Sequence, residues 1–193
     1  MKRLSFFAII LFGVTTGARA DLSENAVREV EFNGCRFKIS NLHGGELRVS
    51  RYSPPKMAFY RFNSNPYTPH TTETSIEFYC DSSKGGKAFS DMGLGRHNGT
   101  WYLIPNKSDP GNLLNQKLYV LDNNGLEGAA ATDDQTTGDE ERRVQGIGFC
   151  LTNQKQILCG TSQAVGYVAY PQQSSLPKVL ELLKSIKFLE PTE

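Results

Sequence analysis

The chain has 193 residues, with 21 Lys and Arg against 20 Asp and Glu and a net charge of +1. It lacks the clustered Lys and Arg that displace counterions from a phosphate backbone, so nucleic acid is excluded as a partner. Residues 1–20 hold three of the basic residues and no acid, which leaves 18 basic against 20 acidic residues and a net charge of −2 in the rest.

The first element expected in chain order is a secretory signal over residues 1–20. Lys2 and Arg3 open it, Leu4 to Val14 form an apolar run, and Ala18-Arg19-Ala20 supplies the small residues of a cleavage site. The apolar run is too short to cross a bilayer, and no later one is longer, so no stable membrane insertion is expected. The mature protein then begins at Asp21, with no cysteine at the cut to carry a lipid. Residues 21–193 form a single domain of ordinary size, exported and expected in the periplasm.

Most of that domain reads as strands. Val27 to Phe32 and Cys35 to Ile39 flank Asn33-Gly34, the dipeptide that best tolerates the positive φ of a two-residue hairpin. Leu47 to Tyr52 alternates until Pro54-Pro55. Met57 to Phe62, Ile76 to Cys80, Thr100 to Ile104 and Lys117 to Leu121 are rich in aromatic and β-branched residues. Asn63 to Thr74 contains Pro66 and Pro69 and reads as a loop, and Asp122-Asn123-Asn124-Gly125 as a turn. Ala129 to Arg143 is read as a long polar loop, followed by a meander of three strands, Val144–Leu151, Gln156–Gly160 and Ala164–Tyr170. In Trp101-Tyr102 the alternation sends one ring inward.

The last element is a helix. Ser174 or Ser175 can cap it, Pro177 fits its first turn, and Leu176, Val179, Leu180, Leu183 and Ile186 make one apolar stripe. The fold expected is therefore α+β: a mostly antiparallel sheet with a C-terminal amphipathic helix packed on one face.

Cys35, Cys80, Cys150 and Cys159 suit two disulfides in an oxidising compartment. If residues 150–159 fold back around Gln154-Lys155, Cys150 and Cys159 face one another within bonding reach. Cys35–Cys80 follows by elimination.

Catalytic chemistry is hard to find. His43, His70 and His97 stand singly near turns and have no metal-ligand spacing. The G-x-S-x-G and H-E-x-x-H patterns are absent. Lys84-Gly85-Gly86-Lys87 lacks the hydroxyl residue and the opening Gly of a phosphate loop. No enzyme activity, cofactor or metal is expected, and a hydrolase assembled around one of the histidines is the weakest reading. The feature that stands out is acidic. Asp133, Asp134, Asp139, Glu140 and Glu141 place five carboxylates within nine residues, beside Arg142-Arg143. The alternation of an EF-hand calcium loop is missing. A mobile acidic loop can instead engage a basic site on another protein, so these five are the expected partner-binding residues.

The closing pattern carries a resemblance. Gly148-Phe149-Cys150-Leu151 and Ile157-Leu158-Cys159-Gly160 lead into Tyr167-Val168-Ala169-Tyr170 and a helix ending Leu182-Leu183-Lys184-Ser185-Ile186-Lys187-Phe188. Over about residues 144–189 this resembles the end of PsbP-like and DcrB-like α+β domains. It is also similar to the C-terminal domain of periplasmic immunity proteins that neutralise phospholipase effectors of type VI secretion. The resemblance implies a non-catalytic protein that binds a toxin and blocks it. It supplies no interface motif, so no binding residue is carried over. The expectation is a secreted protein-binding module, most sharply an immunity protein. The alternative is an envelope small-ligand or lipid-binding protein with an apolar pocket between sheet and helix.

Overall fold

Asn33 and Gly34 both take positive φ, 48° and 86°, and so turn β1 (Val27–Phe32) tightly back onto β2 (Cys35–Ser40). Phe32 lies opposite Cys35 and Val27 opposite Ser40. Cys35, Phe37 and Ile39 of β2 are fully buried, while Lys38 between them is exposed, which is the alternation of a strand with one face on a core.

The computed structural model describes residues 26–50, 56–63, 73–81, 87–105, 115–123 and 125–190. The signal segment, Tyr52, Pro54-Pro55, the greater part of the Asn63–Thr74 loop, His70, Lys84-Gly85-Gly86 and Asn124 lie outside those residues. After β2 come β3 (Glu46–Val49), β4 (Ala58–Asn63), β5 (Glu73–Asp81), a short helix α1 (Lys87–Asp91), β6 (Leu94–His97) and β7 (Thr100–Leu103). Then follow β8 (Lys117–Val120), β9 (Glu127–Asp134), β10 (Val144–Thr152), β11 (Ile157–Tyr167), α2 (Leu176–Lys184) and β12 (Lys187–Phe188). Among the described residues three sheets result, with orders β1-β2-β12, β3-β4-β5-β11-β10-β9-β8 and β6-β7. Every pairing is antiparallel.

The central strands of the seven-stranded sheet, β9 to β11, carry buried residues on both faces. On one, Tyr60, Ile76, Phe78, Phe149, Leu151 and Leu158 share a core with Phe37 and Ile39 of β2 and with Val179, Leu182 and Leu183 of α2. Its rings chain from Phe37 to Phe78 at 6.0 Å and from Phe78 to Phe149 at 5.6 Å. Each fully buried ring or Leu stabilises the fold by about 1.5–3 kcal/mol. On the other face Ala129, Ala131, Cys150 and Cys159 meet Ala88, Leu94 and Trp101 from the α1–β6–β7 insertion.

Four sequence expectations are corrected. Ala129 to Asp134 is not loop but most of β9, an interior strand on which Gly128 to Thr132 are buried. Covered on both faces, it shows no polar alternation, and its small residues leave room for the layers above and below. The meander has two strands, not three, because β11 runs unbroken for 11 residues. Its register against β10 slips between Gln145, opposite Gly166, and Ile147, opposite Ser162. That bulge places extra residues of β11 across from Gly146. Finally, Ser175 precedes α2 without capping it. Its N–H (2.6 Å) and Oγ (2.8 Å) both donate to Val165 O, and Thr74 Oγ1 lies 2.7 Å from that hydroxyl. Ser174 Oγ accepts from Leu176 N instead, at 3.1 Å. The start of the helix thus ties down the bulge. The apolar stripe also shifts, with Leu182 fully buried and Leu180 only partly so.

Candidate functional site

Both disulfides sit where they brace the sheets. Cys35 of β2 is bonded to Cys80 of β5, clamping the small sheet to the large one across the core, 45 residues apart in sequence. Cys150 and Cys159 face each other on β10 and β11 with their Cα atoms 4.0 Å apart, nine residues apart in sequence. The connection between those strands is the four residues 153–156, with Gln154 at φ 71°.

The five acidic residues do not form one surface. Asp133 and Asp134 are consecutive on β9 and so project to opposite faces. Asp134 Oδ1 accepts a 2.6 Å hydrogen bond from Gln145 Nε2 across the ladder. Asp139, Glu140 and Glu141 lie in the β9–β10 connection, where Asp139 caps a short 3₁₀ turn over Glu140–Arg142 by accepting from Glu141 N at 3.2 Å. Arg142 stands 3.7 Å from Asp139, and Arg143 the same distance from Glu140. These exposed pairs add little stability, about 0–1 kcal/mol each, but they dilute the loop's negative field. Of the five, Asp133 lines a cavity.

His43 and His97 belong to different parts of the fold. His43 belongs to the β2–β3 turn, where Nε2 is 3.1 Å from Lys178 O of α2 and the ring lies 5.3 Å from that of Phe62. It joins a turn to the helix. His97 is exposed at the end of β6. Among the described residues no group of three or more His, Cys, Asp and Glu is placed to share a metal ion.

The cavity is a groove of about 720 Å³ on the face of the large sheet that carries the insertion. Its floor is bare backbone. Gly146 and Gly148 bracket Ile147, whose side chain goes to the main core. One wall is the α1–β6 turn, with Asp91 and Met92, and Met92 Sδ lies 3.1 Å from where a Cβ on Gly148 would stand. Asp133, Thr161 and Gln163 belong to the strands beside it, and Gln116 and Pro105 also line it. Gln116 Oε1 is buried without a hydrogen-bond partner. A smaller cavity of about 160 Å³ continues across Thr161 and Gln163 to Glu73, Ser75 and Glu77 of β5. Among the described residues the titratable groups lining the two are Asp91, Asp133, Glu73 and Glu77, with no Lys, Arg or His. No described residue pairs with any of these four carboxylates.

The insertion that forms the wall is held firmly. Arg96 pairs with Glu127 and lies 5.3 Å from the centre of the Trp101 ring. Trp101 is buried and Tyr102 exposed, and the indole Nε1 donates to Asp122 Oδ1 at 3.3 Å. Beneath the insertion, Tyr79 of β5 has its hydroxyl pushed up to about 12, by burial first and then by the Asp91 and Asp81 carboxylates.

No family model, curated protein or solved structure matches the chain. Sequence reasoning found Asp133 but missed Asp91, Glu73, Glu77 and Gln116 as its neighbours. Seventeen residues separate Gln116 from Asp133 and 42 to 60 separate the three acids from it, and only the strand order brings them together.

Proposed function

We propose that this chain is an exported, non-catalytic protein-binding module, in its sharpest form an immunity protein that blocks a toxic effector of an interbacterial secretion system. The observation that carries the reading is the acid-lined groove, open on a sheet face that two disulfides and a braced insertion keep rigid. A preformed surface of fixed shape loses little conformational entropy on docking, which favours tight association. The disulfides support export to an oxidising compartment, the periplasm being the expected one. Among the described residues no helix is long and apolar enough to cross a membrane. The C-terminal helix is read as the cover of the main core. Phe37, Tyr60, Phe78, Phe149, Leu182 and Leu183 fill that core, where a lipid carrier would need an empty apolar pocket, so docking is favoured over carriage.

The test is genetic and biochemical. The protein is co-expressed with the product of a neighbouring toxin gene, and complex formation is followed by size-exclusion chromatography and by survival of the host. Stoichiometric binding with protection is expected. Full sensitivity of cells that export the protein would refute the immunity form.

A further inference from the structure

We infer that the groove receives an arginine side chain from a basic segment of the protein partner, seated over Gly146. The inference rests on the docking function proposed above and goes beyond it in naming the site and the partner's chemistry. Three independent features converge. First, the charge of the lining is of one sign: Asp91 and Asp133 in the groove, Glu73 and Glu77 in its extension, with no basic group among the described residues. Second, Gln116 lines the groove and its Oε1 is buried with no donor, so a turn of that side chain toward the groove supplies an uncharged acceptor. A buried acceptor without a partner costs about 1–3 kcal/mol, so it is a standing reason to bind an N–H group.

Third, the floor has a vacant side-chain position. The β11 bulge opens the sheet opposite Gly146, and the point its Cβ would occupy is 3.5 Å from Ser162 O, 3.7 Å from Gln163 O and 3.8 Å from Asp133 O. Together with the four carboxylates, these carbonyl oxygens make a lining rich in acceptors, which suits a group that only donates. Guanidinium carries five N–H donors in a flat fork that can engage several acceptors at once, whereas an ammonium is a compact point charge. A divalent metal is disfavoured, because no set of three or more His, Cys, Asp and Glu converges among the described residues. The volume of about 720 Å³ exceeds one side chain, so the flanking residues of the segment enter with it. The extension toward Glu73 gives that segment a direction, across β10 and β11 from β9 to β5.

The experiment uses the full disulfide-bonded protein and short peptides centred on arginine, lysine or citrulline, with binding read from NMR shift changes and fluorescence anisotropy. The arginine peptide is expected to bind at Gly146, Asp133 and Gln163, the lysine peptide about 5- to 10-fold more weakly, and the citrulline peptide not measurably. Asp133→Asn and Asp91→Asn should each weaken binding by about 5- to 20-fold. Asp139→Asn with Glu140→Gln, in the exposed loop, should change it less than 2-fold at moderate salt.

Gly146→Ala is the sharpest variant. Its Cβ meets only ordinary contacts, so the melting temperature should hold while the arginine peptide loses at least 10-fold in affinity. Arginine binding that survives Gly146→Ala, or maps elsewhere, or is absent from the wild-type protein overturns the inference. The two proposals can fail separately. A cognate partner that binds wild type and Gly146→Ala equally leaves docking intact and removes the groove. Groove-specific peptide binding with no protein partner does the reverse.

Discussion

The two disulfides should differ in what they contribute, and the difference follows from chain length. Cys35–Cys80 closes a loop of 45 residues and Cys150–Cys159 one of nine. A cross-link removes loop-closure entropy from the unfolded chain as about 2.1 + 1.5R ln n cal/mol/K, which gives about 4.0 kcal/mol for the first and about 2.6 kcal/mol for the second at 25 °C. Location adds to this, since the long-range bond joins two sheets while the short one joins strands that the β10–β11 ladder already pairs. The perturbation is the double variant Cys35→Ala/Cys80→Ala, compared with Cys150→Ala/Cys159→Ala. Alanine is chosen because Cys35, Cys150 and Cys159 have no exposed surface and serine would bury a hydroxyl there. Urea unfolding of each oxidised protein gives the stability change, and the slope should rise in both because the unfolded chain expands. Thermal midpoints should fall by roughly 8–16 °C and 5–10 °C respectively. The reasoning is refuted if the hairpin bond proves as costly to remove as the inter-sheet bond.

Gly160→Ala places a methyl against Glu77 O and the Phe149 ring and should destabilise by about 3 kcal/mol, read by denaturant titration, while Gly146→Ala stays within about 0.5 kcal/mol of wild type. Gln156 is buried and bridges Arg36 N at 2.7 Å to Leu189 O at 2.6 Å, so Gln156→Ala should cost about 2–3 kcal/mol and free the β12 end to hydrogen exchange. Tyr79 ionises near pH 12 in the folded protein against 10.0 when unfolded, so its contribution is whole below pH 10 and is lost as the pH climbs through 12. Two pH units correspond to at most about 2.7 kcal/mol, and solvent screening reduces this to about 1 kcal/mol. Tyr79→Phe should therefore flatten the fall in stability between pH 10 and 12, measured by urea midpoints, and should remove a late-titrating tyrosine from the ultraviolet absorbance curve. An unchanged pH dependence would show that the hydroxyl is well solvated.

Legibility in the chain tracked locality. The Asn33-Gly34 hairpin, the alternation of Cys35, Phe37 and Ile39, and the facing of Cys150 and Cys159 depend on neighbours within ten residues, and all are formed in the fold. Misreadings arose where tertiary burial cancels local pattern. Ala129 to Thr132 carries neither bulky β-formers nor alternation, because it lies between two packed layers. The seeming break after Gly160 is a bulge, held from a distance by Ser174 and Ser175. The insertion of α1 with β6 was invisible because a five-residue helix has too few turns to show a period.

By itself the amino-acid order decided the strand-rich character, the tight turns, the apolar stripe of the last helix and the cysteine pairing across the β10–β11 hairpin. Those features arise from side-chain period, backbone preference and short-range reach. Only the tertiary structure decided that β11 inserts between β5 and β10, that Asp133 and Asp134 part company across the sheet, and that Asp91, Gln116 and Gly146 meet in one groove. Such meetings depend on which distant strands pair. That choice is made by the burial of whole faces against chain entropy, and no short stretch of residues records it.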